Sequence, residues 1–124
     1  MSKVAINVPQ APEAIGPYSH ANVVGDLVFV SGQMPIKDGQ LEMDDIQQAC
    51  RNCMDNIAKI LDGAGSSMAK AAKFTIYLTD LADFAAVNEV YGSYFSGDYP
   101  ARVCIQVSAL PKGAAIEIDC IASL

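Results

Sequence analysis

The segment from Asp44 to Ala64 constrains the fold most. Ile46, Ala49, Cys50, Cys53, Ile57, Ile60, Leu61 and Ala64 recur at spacings of three and four, the period of one face of an α-helix. A stripe that long needs a partner surface, because helices of this length owe most of their stability to burying such a face. Asp44 is placed to cap the helix, with Gln47 three residues on, and Gly63 and Gly65 are placed to end it.

The remaining segments supply that partner. Val4 to Val8, His20 to Val24, Leu27 to Gln33, Ala72 to Leu78, Ala101 to Val107 and Ala115 to Ala122 read as strands, rich in β-branched and aromatic residues. Gly25-Asp26 is a tight-turn signal, so the second and third strands form a hairpin. Thr79 or Asp80 caps a second helix that runs to about Phe95, with Phe84, Val87, Tyr91 and Tyr94 or Phe95 on its apolar face. Asn88 shares that face, so its amide is either a structural tie to nearby backbone or part of a site wall. The stretch between the last two strands exceeds a two-residue turn, and their direct pairing does not follow. These elements predict a single α+β domain over residues 1–124, with two helices on one face of a sheet of about six strands.

Composition narrows the function. The net charge is −6 and no basic run exists, which disfavours a phosphate backbone as partner. Charged residues make up only 18% of the chain, below the usual quarter, as expected where an oligomer hides part of the surface. No run reaches the roughly 18 apolar residues of a membrane span, and the start MSKVAINVPQ lacks a signal-peptide core; the expected location is the cytoplasm. Cys50 and Cys53 form a C-x-x-C inside the helical stripe rather than at a helix N-terminus, which favours core packing over redox chemistry. With one histidine, His20, and no second C-x-x-C, neither a zinc site nor a Ser-His-Asp apparatus is expected.

Two strands carry charge. Strand alternation sets Arg102, Cys104 and Gln106 on one face and Val103, Ile105 and Val107 on the other. In the last strand Ile116, Ile118, Cys120 and Ala122 oppose Glu117, Asp119 and Ile121. The apolar faces are expected under the helices, leaving Arg102 and Glu117 on a mixed second face. Two readings stand. Arg102 is half of an ordinary exposed ion pair, worth about 0–1 kcal/mol, or it clamps a ligand carboxylate, which the planar guanidinium fork suits and lysine does not. In the second reading Glu117 is a general acid/base whose pKa a partly dry site raises.

The motifs AIGPYS (14–19), FVSGQ (29–33), DFAAVNEVY (83–91), YPARVCIQV (99–107) and LPKGAAIEIDCIA (110–122) together resemble the RidA/YjgF family, in order, from about Pro12 to Ala122. That resemblance implies a chorismate-mutase-like α+β fold and a homotrimer whose sheets line a central β-barrel-like interior, with active-site clefts between subunits. It implies hydrolytic deamination of reactive 2-enamino and 2-imino acids, such as 2-aminoacrylate and 2-iminobutanoate, to 2-oxo acids and ammonia. No cofactor or metal is implied, and the link to pyridoxal-phosphate dehydratases is functional, without required physical contact. Carried over by motif, Arg102 holds the substrate carboxylate, Glu117 activates water and Tyr18 closes the cleft from a neighbouring subunit. Ser31, Gly32, Asn88 and Cys104 line the pocket. This chain departs from the family pattern at His20, where Gln is common, and at Val103, where Ser is usual; Val103 points away from Arg102, so the clamp is expected to survive, and the effect of His20 on the mouth of the site is left open. Two alternatives stand beside this reading: a non-catalytic binder or sensor of 2-oxo acids, in which the same arginine grips a carboxylate without turnover, and a ribonuclease or translation inhibitor, a role that the resemblance implies for some members.

Overall fold

The computed structural model describes residues 2–124. Strands β1 (Lys3–Ile6), β2 (Ala21–Val24) and β3 (Leu27–Gln33) come first, followed by β4 (Ile36–Lys37) and β5 (Gln40–Leu41). Helix α1 (Ile46–Gly63), β6 (Ala71–Leu78), α2 (Phe84–Gly92), β7 (Ala101–Gln106) and β8 (Ile116–Ser123) complete the order. Among the described residues six strands form one mixed sheet in the order β1-β2-β3-β8-β6-β7, and β4 with β5 makes a small separate hairpin. Its two strands are too short to leave an alternation signal, and the sequence pattern misses them.

Helix α1 forms as its stripe requires. Ala49, Cys50, Cys53, Ile57, Ile60 and Leu61 are all buried. At about 1.5–3 kcal/mol per fully buried large apolar side chain, this face outweighs any local propensity term. Both cysteines are core residues, and burial pushes the Cys50 thiol up to about 12 and Cys53 well above its ordinary value. The N-cap is Asp45 rather than Asp44: its carboxylate accepts from Gln47 N at 3.0 Å and Gln48 N at 3.2 Å. Adjacent aspartates offer the same signal in sequence, and only the backbone decides which has the extended conformation a cap needs.

The second helix is shorter than its pattern. Asp80 caps a 3-10 turn at Leu81–Asp83 by accepting from Ala82 N at 2.9 Å, and α2 proper ends at Gly92. Tyr94 and Phe95 still pack on the core from beyond the helix. The β2–β3 hairpin forms as predicted, with Gly25 at φ 59° in its turn, a conformation only glycine takes without strain.

The last two strands do not pair. β8 inserts between β3 and β6, antiparallel to both, while β7 lies parallel to β6 at the sheet edge. Ile116, Ile118, Cys120 and Ala122 face the helices as expected. β7 reverses the expectation. Arg102 pairs in register with Phe74, and Cys104 with Ile76, both core residues under the helices. It is therefore the Arg102–Cys104 face that meets α2, and Val103 and Ile105 that stand 40% and 42% exposed on the open face. Hydropathy alone misassigned the strand, because an edge strand is apolar on whichever face a further surface covers.

Candidate functional site

Strand register decides the site. Glu117 pairs with Tyr77, and Tyr77 with Ile105, so Glu117 points to the open face of the sheet. Arg102 points to the helical face, two strands or about 10 Å across the sheet and three residues or about 10 Å along it. The two residues expected to share one mixed face lie on opposite faces of the same sheet. Each anchors its own group of side chains.

The Glu117 group is a cleft of about 330 Å³ lined by Ile15, Tyr18, Ser31, Gly32, Met34, Pro111, Lys112 and Glu117. The bulge between Val30 and Gln33, where β3 slips register against β8, brings Ser31 and Gly32 to its wall. The Glu117 carboxyl lies directly over Gly32: a Cβ there would fall 2.8 Å from Glu117 Cδ and 3.2 Å from Cγ. Glycine is needed for this close approach, not for an unusual φ. Burial, reinforced by the neighbouring Asp119, raises the Glu117 carboxyl above its ordinary value. Asp119 itself accepts from the Tyr77 hydroxyl at 2.9 Å.

Ser31 works as a tether. Its N–H donates to His20 O at 2.9 Å and its hydroxyl to Ser19 O at 2.7 Å. These bonds hold the loop that carries Tyr18, whose hydroxyl accepts from Ile15 N at 3.2 Å and keeps its own O–H free to donate. His20 is not at the mouth of the site. It is buried, its Nδ1 accepts from Val8 N at 3.0 Å, and its Nε2–H donates to Pro12 O at 2.8 Å. The imidazole ties both ends of the loop before Tyr18 to one point. On the other side, Asn56 of α1 donates to Met34 O at 3.2 Å and Ile36 O at 2.9 Å, fixing the turn that presents Met34.

The Arg102 group lies between β7 and α2. Arg102 Nη1 donates to Asn88 Oδ1 at 2.5 Å, and its Cζ lies 5.4 Å from the Phe84 ring centroid and 5.0 Å from that of Tyr91. The exposed ion pair of the simpler reading does not form at this bond, since the acceptor is a neutral amide. Asn88 thus bonds a side chain rather than nearby backbone. Cys104 lies two residues on along the same face, half-buried, with its thiol pushed up by burial.

Tyr18, Ser31, Gly32 and Glu117 are thus brought together, as are Arg102, Asn88 and Cys104, but one chain does not join the two groups. Sequence reasoning missed Ile15, Met34, Pro111 and Lys112. Lys112 left one signal, its place in a Pro-Lys-Gly turn, where it takes a φ of 58°. Among the described residues no cluster of three or more metal-ligating side chains is present, and no helix is long and apolar enough to cross a membrane.

Residues 8–124 match the family model described as endoribonuclease L-PSP. The chain belongs to the RidA/YjgF family. It is 47% identical to the RutC family protein y4sK of Sinorhizobium fredii, covering 96% of each chain. It is 41% identical to the human 2-iminobutanoate/2-iminopropanoate deaminase, over 94% of this chain and 87% of that one. Among solved structures, Escherichia coli TdcF with bound serine superposes with a TM-score of 0.93 at 40% identity over 98% of both chains. This RidA/YjgF member therefore has the family fold, and only some relatives of comparable identity carry a deaminase name.

Proposed function

We propose that the protein hydrolyses 2-imino and 2-enamino acids to 2-oxo acids and ammonia, at clefts assembled between copies of the chain in a homotrimer. One observation carries this: the cationic clamp and the acid occupy opposite faces of one sheet, so each is half of a site that a second copy completes. Relatives named 2-iminobutanoate/2-iminopropanoate deaminase at 41–43% identity support the chemistry. The exposed Phe29, Val103 and Ile105 on the open sheet face support the assembly, since apolar groups on one face are what a neighbouring subunit covers.

In this reading Arg102 of one chain binds the substrate carboxylate through N–H groups left free by Asn88. The imine carbon then lies over Glu117 and Tyr18 of the next chain. Glu117 as carboxylate takes a proton from water while the water oxygen bonds the imine carbon and the C=N π pair moves to nitrogen. The protonated Glu117 returns that proton to nitrogen, giving a neutral carbinolamine; the carboxylate then takes the hydroxyl proton and passes it to nitrogen as the C–N bond breaks, so the C=O forms and ammonia leaves. For an enamine, protonated Glu117 first delivers a proton to the terminal carbon as the nitrogen lone pair forms C=N; the iminium and the Glu117 carboxylate so formed enter the same hydration, which leaves Glu117 protonated again at its end. Burial and the neighbouring Asp119 raise the Glu117 pKa, which makes the protonated form easier to reach and suits a group that both takes and gives a proton. The imine carbon is already electrophilic, so positioning supplies much of the acceleration, and no cofactor is called for. The acidic chain gives a ribonuclease reading no electrostatic support.

The test couples a threonine dehydratase to 2-oxobutanoate release. Wild type accelerates release, and Arg102→Met and Glu117→Gln each abolish the acceleration. Co-expressed in equal amounts, the two inactive variants recover about a quarter of the wild-type rate, the fraction of head-to-tail interfaces that join an intact arginine to an intact glutamate. No acceleration by wild type, with 2-oxobutanoate still bound, would instead identify a 2-oxo-acid binder. Full inactivity of the mixed trimers would refute the shared site.

A further inference from the structure

We infer that Phe84 and Tyr91 are positioning residues that hold the Arg102 guanidinium in a neutral cradle; the inference rests on the clamp role proposed for Arg102. Phe84, Asn88 and Tyr91 follow at spacings of four and three, which makes one row along α2. Arg102 reaches this row from β7. Its Cζ stands 5.4 Å from one ring centroid and 5.0 Å from the other, and the amide oxygen of Asn88 between them takes an Nη1 proton. Both rings lie within the roughly 6 Å at which a cation is drawn to an aromatic face.

The row is itself braced. Tyr91 is buried and set edge-on to Phe74 at 5.5 Å and against Phe95 at 5.1 Å, so its ring has no room to swing. Phe84 is different. It is 39% exposed, and its ring lies 5.4 Å from the Arg102 Cζ, so it closes the solvent side of the cradle and can be altered with little effect on the core.

The chemistry of the cradle matters as much as its shape. A carboxylate beside Arg102 would order the side chain equally well, but it would compete with the substrate carboxylate for the same charge. Two rings and an amide order the guanidinium while leaving its charge uncompensated. Of the five N–H donors of arginine, one is engaged by Asn88, and the rest remain for a ligand. The side-chain entropy of arginine is thereby lost on folding rather than on binding.

The experiment has two arms. In the ligand-free protein, NMR relaxation of the Arg102 Nε–Hε pair gives a high order parameter in wild type and in Phe84→Tyr, and a low one in Phe84→Leu. By calorimetry, Phe84→Leu weakens 2-oxobutanoate binding about 3–10-fold, Phe84→Tyr restores it, and Phe84→Leu adds nothing in an Arg102→Met background. A mobile guanidinium in wild type, or a Phe84→Leu effect that persists without Arg102, overturns the cradle. Should wild type fail to bind 2-oxobutanoate, the deaminase reading falls, while the order parameters still decide whether the cradle exists.

Discussion

Replacing Gly32 with alanine tests the site at its tightest contact. The new Cβ would lie 2.8 Å from Glu117 Cδ and 3.2 Å from its Cγ, against about 3.5–4.0 Å for ordinary carbon contacts. Something must move by roughly 0.7 Å or more to reach that separation. The β3 backbone is held by its ladder to β8 and by the Ser31 bonds to His20 O and Ser19 O. The half-exposed Glu117 side chain is freer and takes up the shift. Overpacking of this kind costs about 1 kcal/mol at the mild end, or roughly 3–5 °C in Tm for a domain of this size. Activity suffers far more, since a misplacement of about 1 Å can cost on the order of 10²-fold. The expected outcome is a folded Gly32→Ala protein whose kcat/KM in the dehydratase-coupled assay falls about 10–100-fold. Gly92→Ala is the control, since a Cβ at that position meets nothing within 4 Å. Wild-type kcat/KM in folded Gly32→Ala would refute the claim that the seat of Glu117 over Gly32 sets the geometry of catalysis.

Three other outcomes follow from the same structure. Because the folded-state pKa of Glu117 is raised, its ionised form is disfavoured by folding, and Glu117→Gln should have the higher Tm at pH 7. That gap should close as the pH falls through the folded pKa toward the ordinary value of 4.5, and a pH-independent gap in melting curves would contradict it. His20→Ala should cost about 2–4 kcal/mol in denaturant melts, since it orphans Val8 N and Pro12 O and leaves a cavity; His20→Gln should recover part of this, and a harmless His20→Ala would show that the tie is not needed. Thiol labelling of the native protein should leave Cys50 and Cys53 unmodified, being fully buried with raised pKa values; rapid labelling of either would revive redox chemistry for the pair.

The sequence pattern determined the longer secondary elements, though not the β4–β5 hairpin or the end of α2, and the buried faces of α1 and β8, because local period records which side of a long element is dry. It determined the family too, through motifs that run almost the length of the chain. It could not choose between Asp44 and Asp45 as cap, since adjacent aspartates, each with a glutamine three residues on, give the same signal. Only the tertiary structure decided which strands are neighbours. With β8 inserted beside β6 and β7 parallel to β6, register rather than hydropathy assigns each face. That is why Val103 and Ile105 look like core and stand exposed, while Arg102 looks like surface and lies against two aromatic rings. Alternation within a strand is relative: it says that Arg102 and Val103 point opposite ways, and nothing about which way is in. The absolute sense comes from pairing with Phe74 and Cys120, residues distant in sequence, and it sets Arg102 and Glu117, expected to share one face, on opposite faces of the sheet.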